Sequence, residues 1–250
     1  KQTLFKRHPY GQSYLGTPES IKELNRGDLL QYYRKWLVPQ NLVISVVGDI
    51  QFEDVLPKLE TYFADMKSRS FQPPPVLVEP PLNTIRRSEV SKEKTQAHIV
   101  LGFHGAKIKS SDRYAFDVLN AILSGQGGRL FIELRDRENL AYSVGSVSVE
   151  ALDPGFFLVY MGTSPENIDR AIQGILRELT RISEEMIGEE ELERAKNYIA
   201  GSYEIGLQTN SAQAASLAFS ERYGLGYKEY IEYPKKILMV TAKDVNTVAK

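Results

Sequence analysis

The sequence predicts an α+β fold in which an antiparallel-rich sheet carries helices packed on one face. From residue 83 onward, four strand-like apolar runs come before four long helical patterns, and two shorter helices lie between the second and third of these strands. Strands followed by runs of helices are typical of α+β layers. The predicted strands cover about 84–90, 96–103, 140–150 and 156–162, the shorter helices 114–124 and 129–138, and the later helices 165–183, 188–207, 211–223 and 227–238.

The composition is that of an ordinary globular protein of 250 residues, with 42% hydrophobic and 25% charged residues. The formal net charge is −1 and no basic stripe is present, so nucleic acid is not an expected partner. No apolar run reaches the roughly 18 residues that predict a membrane span. Cysteine is absent, which excludes disulfides, a thiol nucleophile and cysteine-ligated metal, and is compatible with both a bacterial-type cytoplasm and a periplasm.

The first 70 residues combine helical and strand-like patterns. Apolar residues on one face predict a helix from Pro18 to about Leu37, with Thr17 as its N-cap. Turn-forming residues at 25–28 favour two helices instead of one, with Asn25 or Asp28 capping the second. A continuous apolar run at 42–47 predicts a strand, and 52–66 predicts an amphipathic helix.

The segment 71–82 separates two parts of the chain. It carries five prolines, which cannot supply the backbone donors of a helix or a central strand. It therefore predicts an extended linker. We expect residues 1–70 to be the C-terminal part of one domain and residues 83–250 to form most of a second domain, which is truncated.

The truncation follows from an internal repeat. Residues 18–29 resemble residues 234–245 at a constant offset of 216, a sensible length for a domain. The first copy continues into the predicted strand 42–47 and helix 52–66, whereas the sequence stops soon after the second. We therefore expect a fragment of a longer two-repeat protein that lacks a C-terminal strand and helix. The alternative is a complete protein with a coincidental similarity.

The residues 127–144 contain the candidate site. They predict a double-glycine turn, a short helix that carries Arg135 near its end, and a strand that carries Tyr142 near its start. The two side chains can converge at this junction, where they would form a donor pair suited to a carbonyl oxygen or an oxyanion. The alternatives are an Arg135 bridged at the surface to Glu133, Asp136 or Glu138, and a half-buried Tyr142.

Other residue types give no second site. His8, His98 and His104 have no paired metal-binding spacing, and His98 and His104 would lie about 20 Å apart on one strand. No serine lies in a nucleophile motif, and the glycines at 125–128 indicate a helix break. The glutamates at 189–191 suit a helix start. No metal ligands are therefore predicted in this chain.

The ordered motifs resemble one family of zinc peptidases. The pattern from Phe131 through Leu134-Arg135 to Leu140-Ala141-Tyr142 and Val144 resembles a C-terminal domain motif of the pitrilysin, insulinase and mitochondrial processing peptidase family. Matches in the same order cover nearly the whole chain. They comprise His8-Pro9-Tyr10-Gly11, Gly16-Thr17-Pro18, Ile21, Leu24, Asp28-Leu29, Tyr33, Pro39-x-Asn41, Val47-Gly48-Asp49 and Glu191-Leu192-x-x-Ala195-Lys196.

The resemblance implies tandem α+β domains around a chamber that holds a peptide or an unfolded protein. Zinc would be bound by a motif upstream of this sequence, where it activates water. Residues 1–70 would end the zinc-peptidase-type N-terminal domain, and 83–250 would be the substrate-assisting domain. Arg135 and Tyr142 match the family's catalytic Arg/Tyr pair: Tyr142 would donate to the reacting carbonyl and Arg135 would hold a neighbouring one. Such donors contribute on the order of 10²–10³ in rate.

The missing zinc motif leaves two interpretations. The intact protein is a zinc endopeptidase whose metal lies elsewhere in the same gene, or this chain belongs to a non-catalytic partner subunit or peptide-binding assembly protein. In both, its partner is a zinc-bearing N-terminal domain or subunit, and this segment alone is inactive. We also expect a homodimer through an exposed sheet edge. An unrelated α+β binding domain is the third alternative.

Overall fold

A computed structural model describes all 250 residues, which divide into two units. The first unit comprises Lys1–Arg86 and Gln208–Tyr227, and the second comprises Arg87–Leu207 and Lys228–Lys250. The first unit contains helices α1 (Pro18–Glu23), α2 (Arg26–Trp36), α3 (Phe52–Phe63) and α7 (Asn210–Arg222). The second contains strands β1 (Ala97–His104), β2 (Ser143–Val149) and β3 (Phe156–Thr163), helices α4 (Asp112–Leu123), α5 (Ile168–Glu184), α6 (Glu189–Gly206), α8 (Glu229–Leu238) and α9 (Ala242–Val248), and a π-helix (Phe131–Arg137).

The sheet of the second unit is antiparallel, with strand order β1-β3-β2. Alternate residues of β3, Phe157, Val159 and Met161, are buried on one face, as the period of a half-buried strand requires. Helices α4 and α5 pack on the sheet and bury Val118, Ile122 and Ile175 in the same core. The predicted α+β class, with an antiparallel sheet and packed helices, is confirmed.

Helix starts in both units follow from capping side chains. Thr17 accepts from the backbone N–H of Ser20 and caps α1, and Asn25 caps α2 by accepting from Gly27 and Asp28. The predicted split at 25–28 is therefore confirmed. Thr241 caps α9, and both Asp28 and Asp244 accept from the backbone of their N-cap residue. The two similar segments at 18–29 and 234–245 thus build the same capping box.

Two predicted strands are wrong. Residues 42–47 form no strand, since the first unit offers them no neighbouring strand with which to pair. Residues 84–90 form none either, because they pair with no strand of the sheet; the Arg86 guanidinium in this segment donates to the carbonyl of Leu4 at 2.9 Å and to Glu79 at 3.2 Å. As expected, the proline-rich residues 71–82 form neither helix nor strand. The proposed domain boundaries at 70 and 83 stay a prediction.

Within the first unit, Glu79 is the principal buried anchor. One of its carboxylate oxygens, Oε2, accepts from the backbone N–H groups of Lys6, Arg7 and His8 at 2.7–3.0 Å. Burial would raise the pKa of Glu79, but these hydrogen bonds and the Arg86 guanidinium lower it to about 2. By contrast, α1, α2 and α3 contain no buried residue, and apolar side chains such as Leu29 and Phe52 are exposed.

Candidate functional site

The π-helix is the element that carries Arg135. Its wide turn is visible in the bond from the Glu138 N–H to the carbonyl of Glu133, five residues earlier, at 3.1 Å. The helix ends where Asn139 adopts a left-handed conformation with φ of 51°. The Leu140 N–H then reaches back to the carbonyl of Leu134 at 2.8 Å. The helix predicted at 129–138 exists, but its π-helical geometry was not predicted.

Arg135 and Tyr142 line one cavity of about 530 Å³ in the second unit. The structure thus brings together the two side chains that the sequence singled out. The remaining lining residues come from the π-helix itself, from the turn between it and β2, and from the residue after β3: Asp136, Asn139, Leu140, Ala141 and Ser164. The cavity is therefore walled by polar groups and by the edges of two buried residues, Leu140 and Ala141.

The Arg135 guanidinium has no ion pair. Two of the carboxylates that could have bound it bind other arginines, since Glu133 accepts from Arg137 at 2.7 Å and Glu138 pairs with Arg177. Its carbon Cζ lies 4.7 Å from the centre of the Phe131 ring, a cation–π contact that leaves the edge of the guanidinium for hydrogen bonding. The proposed surface bridges to Glu133 and Glu138 are therefore wrong.

Tyr142 lies directly before β2, and 62% of its surface is exposed. Its backbone N–H donates to the carbonyl of Gly162 on β3 at 2.8 Å, which fixes the residue to the sheet. Its hydroxyl makes no hydrogen bond within the chain, so the O–H remains a donor to the cavity. The alternative of a half-buried strand residue is wrong.

Asn139 and Ser164 are cavity residues that the sequence reasoning missed. Asn139 could have been found, because an asparagine after a helix is typical of a left-handed cap. Ser164 had no local signal: it follows β3, and only the pairing of Ser143 with Gly162 brings that end of β3 beside the start of β2. The Ser164 hydroxyl accepts from the Asn167 side chain at 2.9 Å.

A second polar cluster in this unit joins α4, the end of β2 and α8. The Tyr233 hydroxyl donates to Asp117 at 2.8 Å, and the Asp117 carboxyl also shares a hydrogen bond with Glu150. Burial raises the pKa of Asp117 to about 7, and the Glu150 carboxylate adds to the rise. Beside them, the buried ion pair of Arg113 and Glu229 is joined by the Tyr114 hydroxyl and by Lys236.

The residues of this chain do not fit a zinc ion. No group of three or more histidine, cysteine, aspartate or glutamate side chains could hold a metal in the structure. His8 is buried, and its Nδ1 accepts from the Tyr10 N–H at 3.1 Å, a structural role. His98 and His104 lie near opposite ends of β1.

Comparison with known proteins decides the family. Residues 23–199 match the family described as the peptidase M16 inactive domain. The chain belongs to the M16 peptidase family. The resemblance to the insulinase-type zinc peptidases is thereby confirmed. No helix of this M16 chain combines the length and the apolar character that crossing a membrane requires.

Relatives of this M16 chain are named zinc proteases. It is 30% identical to an uncharacterized zinc protease of Streptomyces coelicolor over 99% of its own length and 55% of that protein. It is 28% identical to one of Bacillus subtilis, over 97% and 59% respectively. The chain therefore spans little more than half the length of these curated relatives.

Solved structures share the M16 fold. A protease from Helicobacter pylori superposes with a TM-score of 0.87 at 23% identity, over 98% of this chain and 60% of that one. A peptidase M16 inactive domain from Pseudomonas fluorescens gives 0.83 at 19% identity, over 98% and 59%. These identities establish the common fold and nothing further.

Proposed function

We propose that this chain supplies the peptide-binding half of a zinc-dependent endopeptidase, with Arg135 and Tyr142 as donors to the substrate. One observation carries the proposal: both side chains line the same cavity, and neither the guanidinium nor the hydroxyl is used by an acceptor of the chain. Side-chain donors left without partners at one cavity suit an acceptor that arrives from outside, such as the carbonyl groups of a peptide or an unfolded protein.

The chemistry of the pair suits a peptide carbonyl that becomes an oxyanion. The Tyr142 hydroxyl donates one hydrogen bond to the oxygen on which charge develops, and the Arg135 guanidinium holds the carbonyl of a neighbouring peptide unit. The stacking of Arg135 on Phe131 restricts its rotamers before substrate binds, which lowers the entropy lost on binding. Both groups would therefore act as catalytic residues through direct contact with the substrate.

The metal would be held outside this chain, because its own residues do not fit zinc. We propose a zinc-bearing N-terminal domain or subunit as the partner. The names of the relatives support this, as does their length, of which this chain covers 55–59% in the two proteins compared. The isolated chain is then inactive and binds no stoichiometric zinc.

The proposed domains are the tail of the zinc-peptidase-type domain at 1–70, the linker 71–82 and the substrate-assisting domain at 83–250. Helices α1, α2 and α3, all within 1–70, bury no residue although α2 and α3 carry apolar faces. Those faces are available for the preceding part of the same polypeptide.

The homodimer through a sheet edge also stays a prediction. It would use β1, since Ser124 already accepts from the Ser146 N–H on the outer side of β2.

The test uses the intact gene product and a quenched fluorescent peptide library. Arg135→Ala and Tyr142→Phe should each lower kcat/KM on the order of 10²-fold while the zinc content is unchanged. Arg137→Ala and Tyr198→Phe are matched controls, because Arg137 lies on the same π-helix and Tyr198 is an exposed tyrosine of α6. Wild-type rates in both test variants would remove the proposed role.

The second candidate is a non-catalytic partner subunit or peptide-binding assembly protein. The description of the matching family as an inactive domain favours it. This candidate predicts that the intact gene product binds peptides through Arg135 and Tyr142 but contains no zinc and hydrolyses nothing. Metal analysis of the purified intact protein separates the two functions.

A further inference from the structure

Three contacts hold the π-helix in place, and none of them involves the Arg135 guanidinium or the Tyr142 hydroxyl. At the N-terminal side, Arg129 makes a two-point ion pair with Glu191 of α6, with Nε–Oε1 and Nη2–Oε2 distances of 2.8 and 2.7 Å. The planar fork of an arginine fixes direction as well as distance in such a pair. The turn that leads into the π-helix is thereby tied to α6.

The middle of the π-helix approaches α5 closely. Leu134 is fully buried, and a Cβ added at Gly174 of α5 would lie 2.7 Å from its Cδ2 atom. A contact that short would force the buried Leu134 side chain to shift, so glycine at position 174 preserves the observed packing of Leu134 on α5. The carbonyl of the same Leu134 accepts from the N–H of Leu140, so the residue that packs on Gly174 is also bonded to the cavity wall.

The C-terminal side is fixed by Thr163 of β3. Its hydroxyl donates to the carbonyl of Leu140 at 2.6 Å, and the threonine is fully buried. Leu140 lines the cavity and lies two residues before Tyr142. Its N–H and carbonyl are therefore both bound, one by the π-helix and one by the sheet. This residue joins the element that carries Arg135 to the strand that begins after Tyr142.

We propose that Arg129, Thr163 and Gly174 are positioning residues of the peptide-binding site. They set the place of the π-helix relative to β2, and hence the separation of the Arg135 guanidinium and the Tyr142 hydroxyl. The inference rests on the proposed function, since it concerns the same two donors. None of the three residues lines the cavity, so their effect on substrate passes through the π-helix and Leu140.

The experiment measures binding of fluorescein-labelled β-casein, an unstructured protein, to the intact gene product by fluorescence anisotropy. Thr163→Val keeps the side-chain shape and removes the donor to Leu140, whereas Thr163→Ser keeps the donor. We expect Thr163→Val to weaken binding about tenfold, equivalent to about 1.4 kcal/mol, and Thr163→Ser to restore it. Thermal unfolding measured in parallel shows which variants are folded.

A double-mutant cycle separates positioning from general stability. In a background of Arg135→Ala with Tyr142→Phe, Thr163→Val should cause no further loss of binding, because the donors that it positions are gone. A loss of equal size in both backgrounds, or unchanged binding by folded Thr163→Val, would overturn the inference. Unchanged binding by the Arg135→Ala, Tyr142→Phe protein would instead overturn the proposed function.

A second variant serves if Thr163→Val does not fold. Arg129→Lys keeps the positive charge near Glu191 but loses the two-point geometry. The same tenfold weakening is expected, again absent when Arg135 and Tyr142 are replaced. Arg137→Lys, which alters an exposed ion pair on the same π-helix, should leave binding unchanged. Unaltered binding by folded Arg129→Lys would contradict the positioning role.

Discussion

The Asp117 carboxyl group gives the protein a specific dependence of stability on pH. In the folded protein it accepts from the Tyr233 hydroxyl and shares a hydrogen bond with Glu150, whose Oε1 is buried without a partner. Burial and the Glu150 carboxylate raise its pKa to about 7, against the opposing effects of Tyr233 and Arg113. The substitution Asp117→Asn removes the titrating group, while its amide can still accept from Tyr233 and donate to Glu150.

The raised pKa of Asp117 determines the direction in which the stability of the protein changes with pH. Well below its usual pKa of 3.8, the Asp117 carboxyl is protonated in both the folded and the unfolded chain. As the pH rises toward 7 the unfolded chain loses this proton first, so the free energy of unfolding falls by up to about 1.4 kcal/mol per pH unit. Between the usual pKa of 3.8 and the folded value of about 7, the total fall is at most about 4 kcal/mol, reduced by the partial exposure of the group.

Urea unfolding followed by far-ultraviolet circular dichroism between about pH 4 and pH 8 measures this slope. The wild type should lose stability across that interval more steeply than Asp117→Asn, and the total difference should be at most about 4 kcal/mol. Asp112→Asn is the matched control, because Asp112 is an exposed acid at the first position of the same helix. Equal slopes for the wild type and Asp117→Asn would refute the assignment of a retained proton to this carboxyl.

Two further predictions concern the first unit. Glu79→Gln removes the charge that accepts three backbone N–H bonds, so the free energy of unfolding should fall by about 2 kcal/mol, whereas the exposed Glu89→Gln should have no effect. Since the pKa of Glu79 is lowered from 4.5 to about 2, the stability that its carboxylate provides is complete above pH 4.5 and is lost as the pH falls toward 2. Thermal unfolding in this range should therefore depend less on pH for Glu79→Gln than for the wild type. An equal dependence in the two proteins would contradict this assignment. Amide hydrogen exchange in α2 and α3 should be slower in the intact protein than in this chain, because the preceding domain would cover their apolar faces; equal exchange rates would contradict the proposed domain organisation.

The sequence predicted those elements whose signal is local. The N-cap residues Thr17 and Asn25 mark the starts of α1 and α2 because capping involves neighbours in the chain. Strands 96–103 and 156–162 and all four late helices are confirmed to within about three residues. The strongly amphipathic helix α5 had the clearest local signal. The π-helix was missed because a pattern of apolar residues does not reveal a turn widened by one residue.

The errors share a cause in partners that lie far away in sequence. A run such as 42–47 or 84–90 becomes a strand only beside another strand, and neither segment is paired with one. The site residues also differ in whether neighbouring sequence or a distant strand pairing reveals them. Arg135 and Tyr142 lie seven residues apart and could be found from their motif. Thr163 and Ser164 reach them only through the pairing of β3 with β2.

The carboxylate of Glu79 has a consequence for a chain that contains no cysteine. Its bond to the His8 N–H joins residues 71 positions apart, a span that other proteins close with a disulfide. Unlike a disulfide, this contact exists only in the folded chain, so it stabilises the fold through the hydrogen bonds themselves and not by restricting the unfolded ensemble. Here the link is a set of hydrogen bonds to a carboxylate, so reducing agents leave it intact, and protonation of Glu79 in strong acid weakens it. Residues 6–8 therefore stay bound to Glu79 whatever the redox state of the surroundings.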